Sequence, residues 1–255
     1  MMLEIHQIPC LSDNYGYLIR DSATGSVASI DTPDPEAINS ALEQKNWMLT
    51  HILNTHHHFD HTGGNLALKE KWGCKIIGPK GEAEKIPGLD QAVGEGDMIS
   101  LGSSSSEVFD TPGHTAGHIV YLFQDDSAAF VGDTIFALGC GRLFEGTAEE
   151  MWSSLSKIAN WPGHTKLYCA HEYTQANAQF ALSIDPEFPP LLERSAAIDT
   201  ARRNGEPTVP MTVADELATS PFLRASDQSL AARLGMAGAA PVEVFAEVRR
   251  RKDNF

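Results

Sequence analysis

Residues 55–65 read THHHFDHTGGN, and the interpretation of the rest of the chain depends on this stretch. Four of its residues are metal-ligand types at fixed offsets: His56, His58, Asp60 and His61. Clustered imidazoles and a carboxylate are costly to bury without partners and pack poorly as core. The alternative is a solvated loop that is rich in histidine by chance, and the H-x-H-x-D-H spacing argues against it. The stretch therefore predicts a metal site.

The surroundings of this stretch predict where the site lies. The apolar run Met48–Leu53 predicts a buried strand before it, and a helical pattern begins near Thr62. Open α/β sheets bind ligands beyond the carboxyl ends of their strands. We therefore expect the four side chains on a turn between a strand and a helix.

The spacing also predicts two ions. Residues two apart on an extended turn point the same way, so His56 and His58 can share one ion. Asp60 and His61 continue round the turn and face a neighbouring position. Because catalytic ions usually take three protein ligands and one water, further ligands are expected elsewhere in the chain.

Composition limits the classes of function. The chain has 255 residues, 42% of them hydrophobic, which suffices for a large core. Its net charge of -15 argues against a nucleic-acid partner but leaves room for a small anionic ligand in a local basic pocket. We expect no membrane span and no signal segment. Cys10, Cys74, Cys140 and Cys169 are scattered, as in a cytoplasmic protein with reduced thiols.

Three later positions repeat the pattern of a ligand type at a strand end. His114 follows a strand within TPGHTAGH, and we favour it as the ligand over His118, which we expect to be structural or to support a ligand. Asp133 follows the strand Ala128–Val131, and one carboxylate there can reach both ions. His171 follows the strand Leu167–Ala170 and supplies the remaining ligand.

Two positions keep alternative interpretations. Asp31 ends the strand Val27–Ile30 and either orients a ligating histidine or caps the helix predicted at Glu36–Lys45. The basic cluster Arg249–Lys252 either complements the dipole of a helix end or binds an anion at the active site.

The remaining pattern predicts two domains. Strand-like runs dominate to residue 173, with a serine-rich hairpin turn at Ser103–Ser106. Thr147–Glu150 is a capping box that begins a helix to Ala159, and the glycine-rich loop Gly139–Gly146 lacks phosphate-loop spacing. From 174 onward no strand-like runs remain, and helices are predicted at Gln175–Ser183, Leu191–Arg203, Thr212–Ala218 and Pro241–Lys252. We thus expect a metal-binding domain over 1–173 and a helical domain over 174–255.

These motifs together resemble the metallo-β-lactamase superfamily and, within it, glyoxalase II, the hydroxyacylglutathione hydrolases. The superfamily pattern is T-H-x-H-x-D-H at 55–61, followed by His114, Asp133 and His171. The narrower pattern is GCGRLFEGT at 139–147, AHEYT at 170–174 and the ending R-x-x-K-D-x-F at 249–255. The resemblance covers nearly the whole chain.

The resemblance implies an α+β fold, namely an αββα sandwich followed by a C-terminal all-α domain. It implies two divalent metal ions, zinc with iron or manganese as alternatives. One ion would be held by His56, His58 and His114, the other by Asp60, His61 and His171, with Asp133 bridging. These same seven residues would be the catalytic set.

The resemblance also implies the substrate, a glutathione thioester bound by a monomer. Glutathione would contact Arg142, Phe144 and Tyr173, and its glycine carboxylate would contact Arg249 and Lys252. Many family members carry Lys and Tyr at the positions of Arg142 and Phe144, and Asn at that of Ser220, so affinity for glutathione is expected to differ.

The implied reaction is hydrolysis of S-D-lactoylglutathione and related 2-hydroxyacylglutathiones to glutathione and, from the former, D-lactate. A hydroxide between the two ions would attack the thioester, and the thiolate needs little acid catalysis to leave. Three alternatives keep parts of this pattern: a persulfide dioxygenase with one iron, another hydrolase such as a lactonase, and a non-catalytic metal-dependent binding protein.

Overall fold

The computed structural model describes residues 3–255, and the chain divides into two compact units. The first unit comprises the chain up to Thr111 together with Thr115–Gly132, and the second comprises Pro112–His114 and Asp133–Phe255. None of the helices formed by residues 3–255 combines the length and the apolar character that crossing a membrane requires.

The first unit is built on a six-stranded sheet with the order β1-β2-β3-β4-β5-β6. Its strands and helices are β1 (Leu3–Cys10), β2 (Asn14–Asp21), β3 (Val27–Ile30), α1 (Pro35–Lys45), β4 (His51–Leu53), α2 (Phe59–Thr62), α3 (Asn65–Trp72), β5 (Lys75–Pro79) and β6 (Gln91–Val93). β1 to β3 are antiparallel, whereas β3 to β6 are parallel. Parallel neighbours need a crossover, which α1 supplies between β3 and β4 and α2 and α3 supply between β4 and β5.

The core of this sheet fixes the edge at which the predicted site lies. Leu18, Ile38 and Leu42 are fully buried in one apolar cluster with Ile52 and Ile76. Ile30 of β3 pairs with Leu53 of β4, so both parallel strands end at the same level. Asp31 and the residues after Leu53 therefore leave the sheet at the same edge.

The strand predicted at Met48–Leu53 is shorter than expected. β4 begins only at His51, and Met48 is 73% exposed. An apolar run of this length cannot by periodicity alone be assigned to a strand throughout. Ile52 and Leu53, which pair with β3 and β5, are buried, and Leu49 is buried outside the strand.

Four further strands of the first unit form an antiparallel set in the order β10-β9-β8-β7. They are β7 (Met98–Leu101), β8 (Ser104–Asp110), β9 (Ile119–Phe123) and β10 (Ala128–Gly132). The prediction of a turn over Ser103–Ser106 was wrong for most of that tract, because Ser104–Ser106 belong to β8. The serines bind Asp21, whose carboxylate accepts hydrogen bonds from the Ser103 and Ser104 hydroxyls at 2.6 and 2.9 Å.

The second unit is mainly helical. Its elements are β11 (Ile135–Phe136), β12 (Gly139–Cys140), α4 (Ala148–Ala159), β13 (Lys166–Cys169), α5 (Thr174–Ile184), α6 (Pro189–Arg203), β14 (Met211–Thr212), α7 (Val213–Thr219), α8 (Gln228–Arg233) and α9 (Pro241–Asp253). The predicted capping box is present, with Thr147 and Glu150 bonded reciprocally at the start of α4. The expectation of no strand after residue 174 was wrong at β14, which pairs with β13, and α8 was not predicted.

All four cysteines are free and buried. Burial raises the pKa of the Cys10 and Cys140 thiols to about 11. Burial also raises the pKa values of Cys74 and Cys169.

Candidate metal centre

The metal loop, defined as residues 55–65, holds two histidines in a geometry that suits a single ion. His56 Nε2 and His58 Nδ1 lie 3.0 Å apart. Two ligand atoms of one tetrahedral zinc ion, each about 2.0–2.1 Å from the metal, lie about 3.3 Å apart. The pair therefore fits a shared ion.

Asp31 orients two histidines of the metal loop. Its carboxylate accepts the Thr55 N–H and the Thr55 hydroxyl, both at 2.8 Å, and lies 2.8 Å from His61 Nδ1. Thr55 Oγ1 is 3.1 Å from His56 Nδ1. Because Nδ1 donates in both rings, both present Nε2 to a ligand. This settles one open alternative, since Asp34, not Asp31, caps α1.

Asn14 supports Asp60, a role that no sequence pattern predicts. The Asn14 amide donates to Asp60 Oδ2 at 3.1 Å, and Asn14 is 6% exposed. Asp60 Oδ2 in turn lies 3.6 Å from His61 Nε2. Asn14 begins β2 directly after the turn that follows β1, and asparagine is common at turns for reasons of backbone geometry alone.

His118 lies against the metal loop, as expected for a supporting histidine. Its ring stacks on that of His56 with centroids 4.7 Å apart, and its Nδ1 is 3.1 Å from Thr111 Oγ1. Gly132, with φ of +47°, leaves room for this arrangement, because a Cβ there would lie 2.6 Å from Thr55 Oγ1 and 2.8 Å from His118 Nε2.

In the second unit, Asp133 lies between two histidines. Its Oδ2 is 3.4 Å from His114 Nε2, and its Oδ1 is 3.5 Å from His171 Nε2. His114 Nδ1 is 2.9 Å from the Arg142 carbonyl oxygen and donates to it, so Nε2 is the nitrogen available to an ion. The two oxygens of one carboxylate thus face two different histidines.

The substrate loop, defined as residues 139–146, packs tightly beside Asp133 and His114. A Cβ at Gly141 would lie 2.1 Å from the Asp133 carbonyl oxygen and 3.0 Å from His114 Cβ, so only glycine fits. Phe144 is 61% exposed, and its ring lies 5.3 Å from that of His114.

The predicted glutathione-binding residues of α9 lie in different environments. Arg249 is 6% exposed and donates to the Cys140 carbonyl at 2.9 Å and to Asp253 at 2.8 Å. Within residues 3–255 its Nε has no hydrogen-bond partner. Lys252 Nζ lies 3.4 Å from the Ala176 carbonyl, and burial lowers its pKa, as does the charge of Arg249. A buried donor without a partner favours an anionic ligand at this position.

The other two predicted contacts are accessible. Tyr173 stacks on His171, with centroids 4.7 Å apart and an interplanar angle of 4°, and remains 38% exposed. The Arg142 side chain is 60% exposed, and its Nε lies 3.6 Å from Asp253.

Comparison with known proteins finds two family models that match consecutive parts of the chain. Residues 17–171 match the family model of the metallo-beta-lactamase superfamily, and residues 172–255 match the model described as hydroxyacylglutathione hydrolase C-terminus. Among solved structures, ETHE1 from Myxococcus xanthus superposes with a TM-score of 0.69 and 25% identity, covering 97% of this chain and 90% of that one. The B3 metallo-beta-lactamase BLEG-1 superposes with a TM-score of 0.68 and 20% identity, covering 86% of this chain and 99% of that one.

The α+β fold and the histidine and aspartate loops at its strand ends define a member of the metallo-β-lactamase superfamily. A hydroxyacylglutathione hydrolase of Maricaulis maris is 55% identical over 253 residues, 99% of each chain, and one of Methylococcus capsulatus is 52% identical over 254 residues, 100% of this chain and 99% of that one. Within the superfamily, this chain belongs to the hydroxyacylglutathione hydrolases, the glyoxalase II family. The predicted resemblance is confirmed, and the superfamily fold with these clusters indicates a dinuclear metal site.

Proposed function

We propose that this protein hydrolyses the thioester bond of hydroxyacylglutathiones, typified by S-D-lactoylglutathione, to glutathione and the free hydroxy acid. The observation that carries the proposal is the full-length identity of 50–55% with proteins of that name, which includes the C-terminal region. The similarity to ETHE1 and to the B3 lactamase is lower and supports the fold.

The proposed centre holds two divalent ions. His56, His58 and His114 form one ligand set and Asp60, His61 and His171 the other, with Asp133 shared. One Asp133 oxygen faces His114 and the other faces His171, and this arrangement supports Asp133 as the carboxylate shared by the two ligand sets. Imidazole and carboxylate ligands suit zinc, with iron and manganese as alternatives.

The ions, when bound, supply Lewis acidity that activates water and polarises the thioester carbonyl. The chain's own residues hold and orient the reactants. Asp31 keeps the Nδ1 proton on His61 directly and on His56 through Thr55, so that both rings offer Nε2. Because a thiol has a pKa of about 8.5, the glutathione sulfur leaves as a thiolate without a general acid.

The proposed substrate contacts are the aromatic side chains of Phe144 and Tyr173 and the cations of Arg142, Arg249 and Lys252. Support comes from Arg249, which is fixed by Cys140 and Asp253 and still offers a buried N–H. Guanidinium and ammonium groups suit the carboxylates of the tripeptide.

We further propose a domain boundary near residue 173. We propose a monomer as the active species, because one chain supplies every proposed ligand. We propose a cytoplasmic location, because all four thiols are free.

The test pairs metal analysis with a thioester assay. The purified protein should contain two ions per chain and hydrolyse S-D-lactoylglutathione. Asp133→Ala should lose metal and activity together, whereas Lys252→Ala should raise KM about tenfold for glutathione thioesters and leave a small thioester nearly unaffected. One iron per chain with oxygen uptake would instead indicate a persulfide dioxygenase, and full activity of Asp133→Ala would refute the bridging role.

A further inference from the structure

Glu82 is a buried carboxylate that none of the roles above includes. It lies at a kink within the 3-10 helical segment Lys80–Lys85, with a φ of -128° and a ψ of 16°, and is 3% exposed. A charged side chain is almost never buried to this degree unless specific partners compensate for the lost hydration.

The partners of Glu82 are two backbone N–H groups from different loops and the ring of His57, whose Nδ1 lies 2.8 Å from Oε2. Oε2 accepts the N–H of His57 at 2.8 Å, and Oε1 accepts the N–H of Gly117 at 2.9 Å. His57 lies between His56 and His58 in the metal loop, and Gly117 precedes His118. One carboxylate therefore joins the backbone of both segments.

The packing around Gly117 shows that this junction is tightly specified. A Cβ at Gly117 would lie 2.6 Å from Glu82 Cγ and 2.8 Å from the Gly81 carbonyl carbon. Only glycine permits this approach, so a larger residue would displace Glu82 from both N–H groups.

The position of the His57 backbone determines where its two neighbours point. His56 and His58 place ring nitrogens 3.0 Å apart, and His56 also stacks on His118. Hydrogen bonds to an ionised carboxylate are stronger than those between neutral groups, and the low dielectric of the protein interior strengthens them further. Two such bonds hold this junction together. Glu82 thus acts on His56 and His58 through the backbone and the ring of the residue between them, His57.

We infer that Glu82 is a positioning residue that fixes the metal loop in its ligating geometry before metal binds, and so sets metal affinity. The inference rests on the proposed function only in requiring that the metal loop binds ions. Groups that support metal ligands typically change affinity 10- to 100-fold when altered.

The test is the metal affinity of Glu82→Gln, measured with Zn²⁺ and Co²⁺ against a competing chelator. An amide of equal size presents an NH₂ group to one of the two N–H donors, so one hydrogen bond is lost, and the negative charge beside His57 Nδ1 is removed. We expect affinity about 10- to 100-fold weaker and an altered visible absorption spectrum of bound Co²⁺. Excess metal should restore kcat, with KM for the glutathione thioester unchanged.

Glu84→Gln is the matched control, because Glu84 lies in the same segment and is exposed. It should keep the affinity and the Co²⁺ spectrum of the unchanged protein. Glu82→Asp, which retains both oxygens on a shorter side chain, should give an intermediate affinity and guards against a Glu82→Gln variant that does not fold. Wild-type affinity and spectrum in folded Glu82→Gln or Glu82→Asp would overturn the inference.

Failure of the inference and failure of the proposed function are distinguishable. Tight binding of two ions without thioester hydrolysis would refute the function and leave the role of Glu82 testable by affinity alone. Thioester hydrolysis with unchanged metal affinity in Glu82→Gln would refute the role of Glu82 alone.

Discussion

Asp31 shows how much a single side chain can decide at the candidate centre. Its backbone has a φ of +53°, outside the usual region for a residue other than glycine. In this conformation its two oxygens reach Thr55 and the His61 ring. Strain of this kind persists where the surrounding contacts over-determine it.

We predict that Asp31→Asn weakens metal binding about 10- to 100-fold, because an amide cannot accept from Thr55 and His61 on both sides as a carboxylate does. Metal affinity by chelator competition measures this. The control is Asp34→Asn, which alters the cap of α1 and should cost little stability, because Asn also caps well, while leaving metal affinity unchanged. Equal affinities in the two variants would contradict the role of Asp31.

Lys252 gives a pH-dependent prediction. Burial lowers its pKa below that of a free lysine, as does the neighbouring Arg249 charge, so Lys252 loses its charge at a lower pH than usual. The carboxylates of glutathione stay ionised, so KM for its thioesters should rise as the pH increases toward the usual lysine pKa of about 10.4, and the rise should begin at a lower pH than for a free lysine. Lys252→Arg should flatten that rise, because arginine keeps its charge above pH 12. If KM rose equally with pH in the arginine variant, after correction for uncatalysed hydrolysis, Lys252 would be excluded as the cause of the rise.

At the scale of elements, helices of the C-terminal region hold the segment that leads into the substrate loop. Glu216 of α7 is fully buried and accepts the Leu138 N–H at 2.9 Å and the Arg194 guanidinium. Asn177 of α5 donates to the Ala137 carbonyl at 3.1 Å. Leu138 has a φ of +57°, so these bonds keep an unfavourable backbone conformation in place.

We predict that Glu216→Ala lowers the free energy of unfolding by about 3–5 kcal/mol, because it leaves Arg194 without its buried partner. The displaced loop should also raise KM for glutathione thioesters. Urea denaturation and steady-state kinetics measure the two effects. Glu193→Ala is the control, since Glu193 precedes Arg194 on α6 and is exposed. A loss of stability no greater than in the control would contradict this assignment.

The elements could be predicted where a local signal determines them. The capping box of α4 and the strand-like run Val27–Ile30 predicted the bounds of α4 and β3 to within about two residues. The prediction of a turn over Ser103–Ser106 failed because the hydroxyls of Ser103 and Ser104 donate to Asp21, which lies more than 80 residues earlier in the chain. Helix α8 was missed because it is six residues long and carries little periodicity.

The candidate site also contains residues that the sequence predicts and residues that it does not. Ligand types stand out because histidine and aspartate at strand ends have few structural uses. Asn14 and Glu82 left no such signal, since an asparagine in a turn and a glutamate in a charged segment are ordinary choices. Their contacts with Asp60, His57 and Gly117 depend on tertiary structure alone.

For the whole molecule, we predict that metal removal lowers thermal stability. An ion that binds only the folded chain stabilises it by about 4 kcal/mol when its free concentration is about 1,000 times Kd. Chelation followed by calorimetry should therefore lower Tm and abolish thioesterase activity, and added Zn²⁺ should restore both. Asp133→Ala should show a smaller change on chelation, and an unchanged Tm in the unmodified protein would contradict tight metal loading.

The four buried thiols have a consequence for a protein whose proposed product is itself a thiol. Exchange with glutathione disulfide requires the ionised sulfur, and for Cys10 and Cys140, whose pKa values are about 11, the ionised fraction near neutral pH is on the order of 10⁻⁴. Cys140, beside Arg249, would otherwise be the residue most open to capture as a mixed disulfide. We predict that a thiol reagent labels none of the four in the folded protein and all of them in denaturant, so that catalysis continues through swings in cellular redox poise.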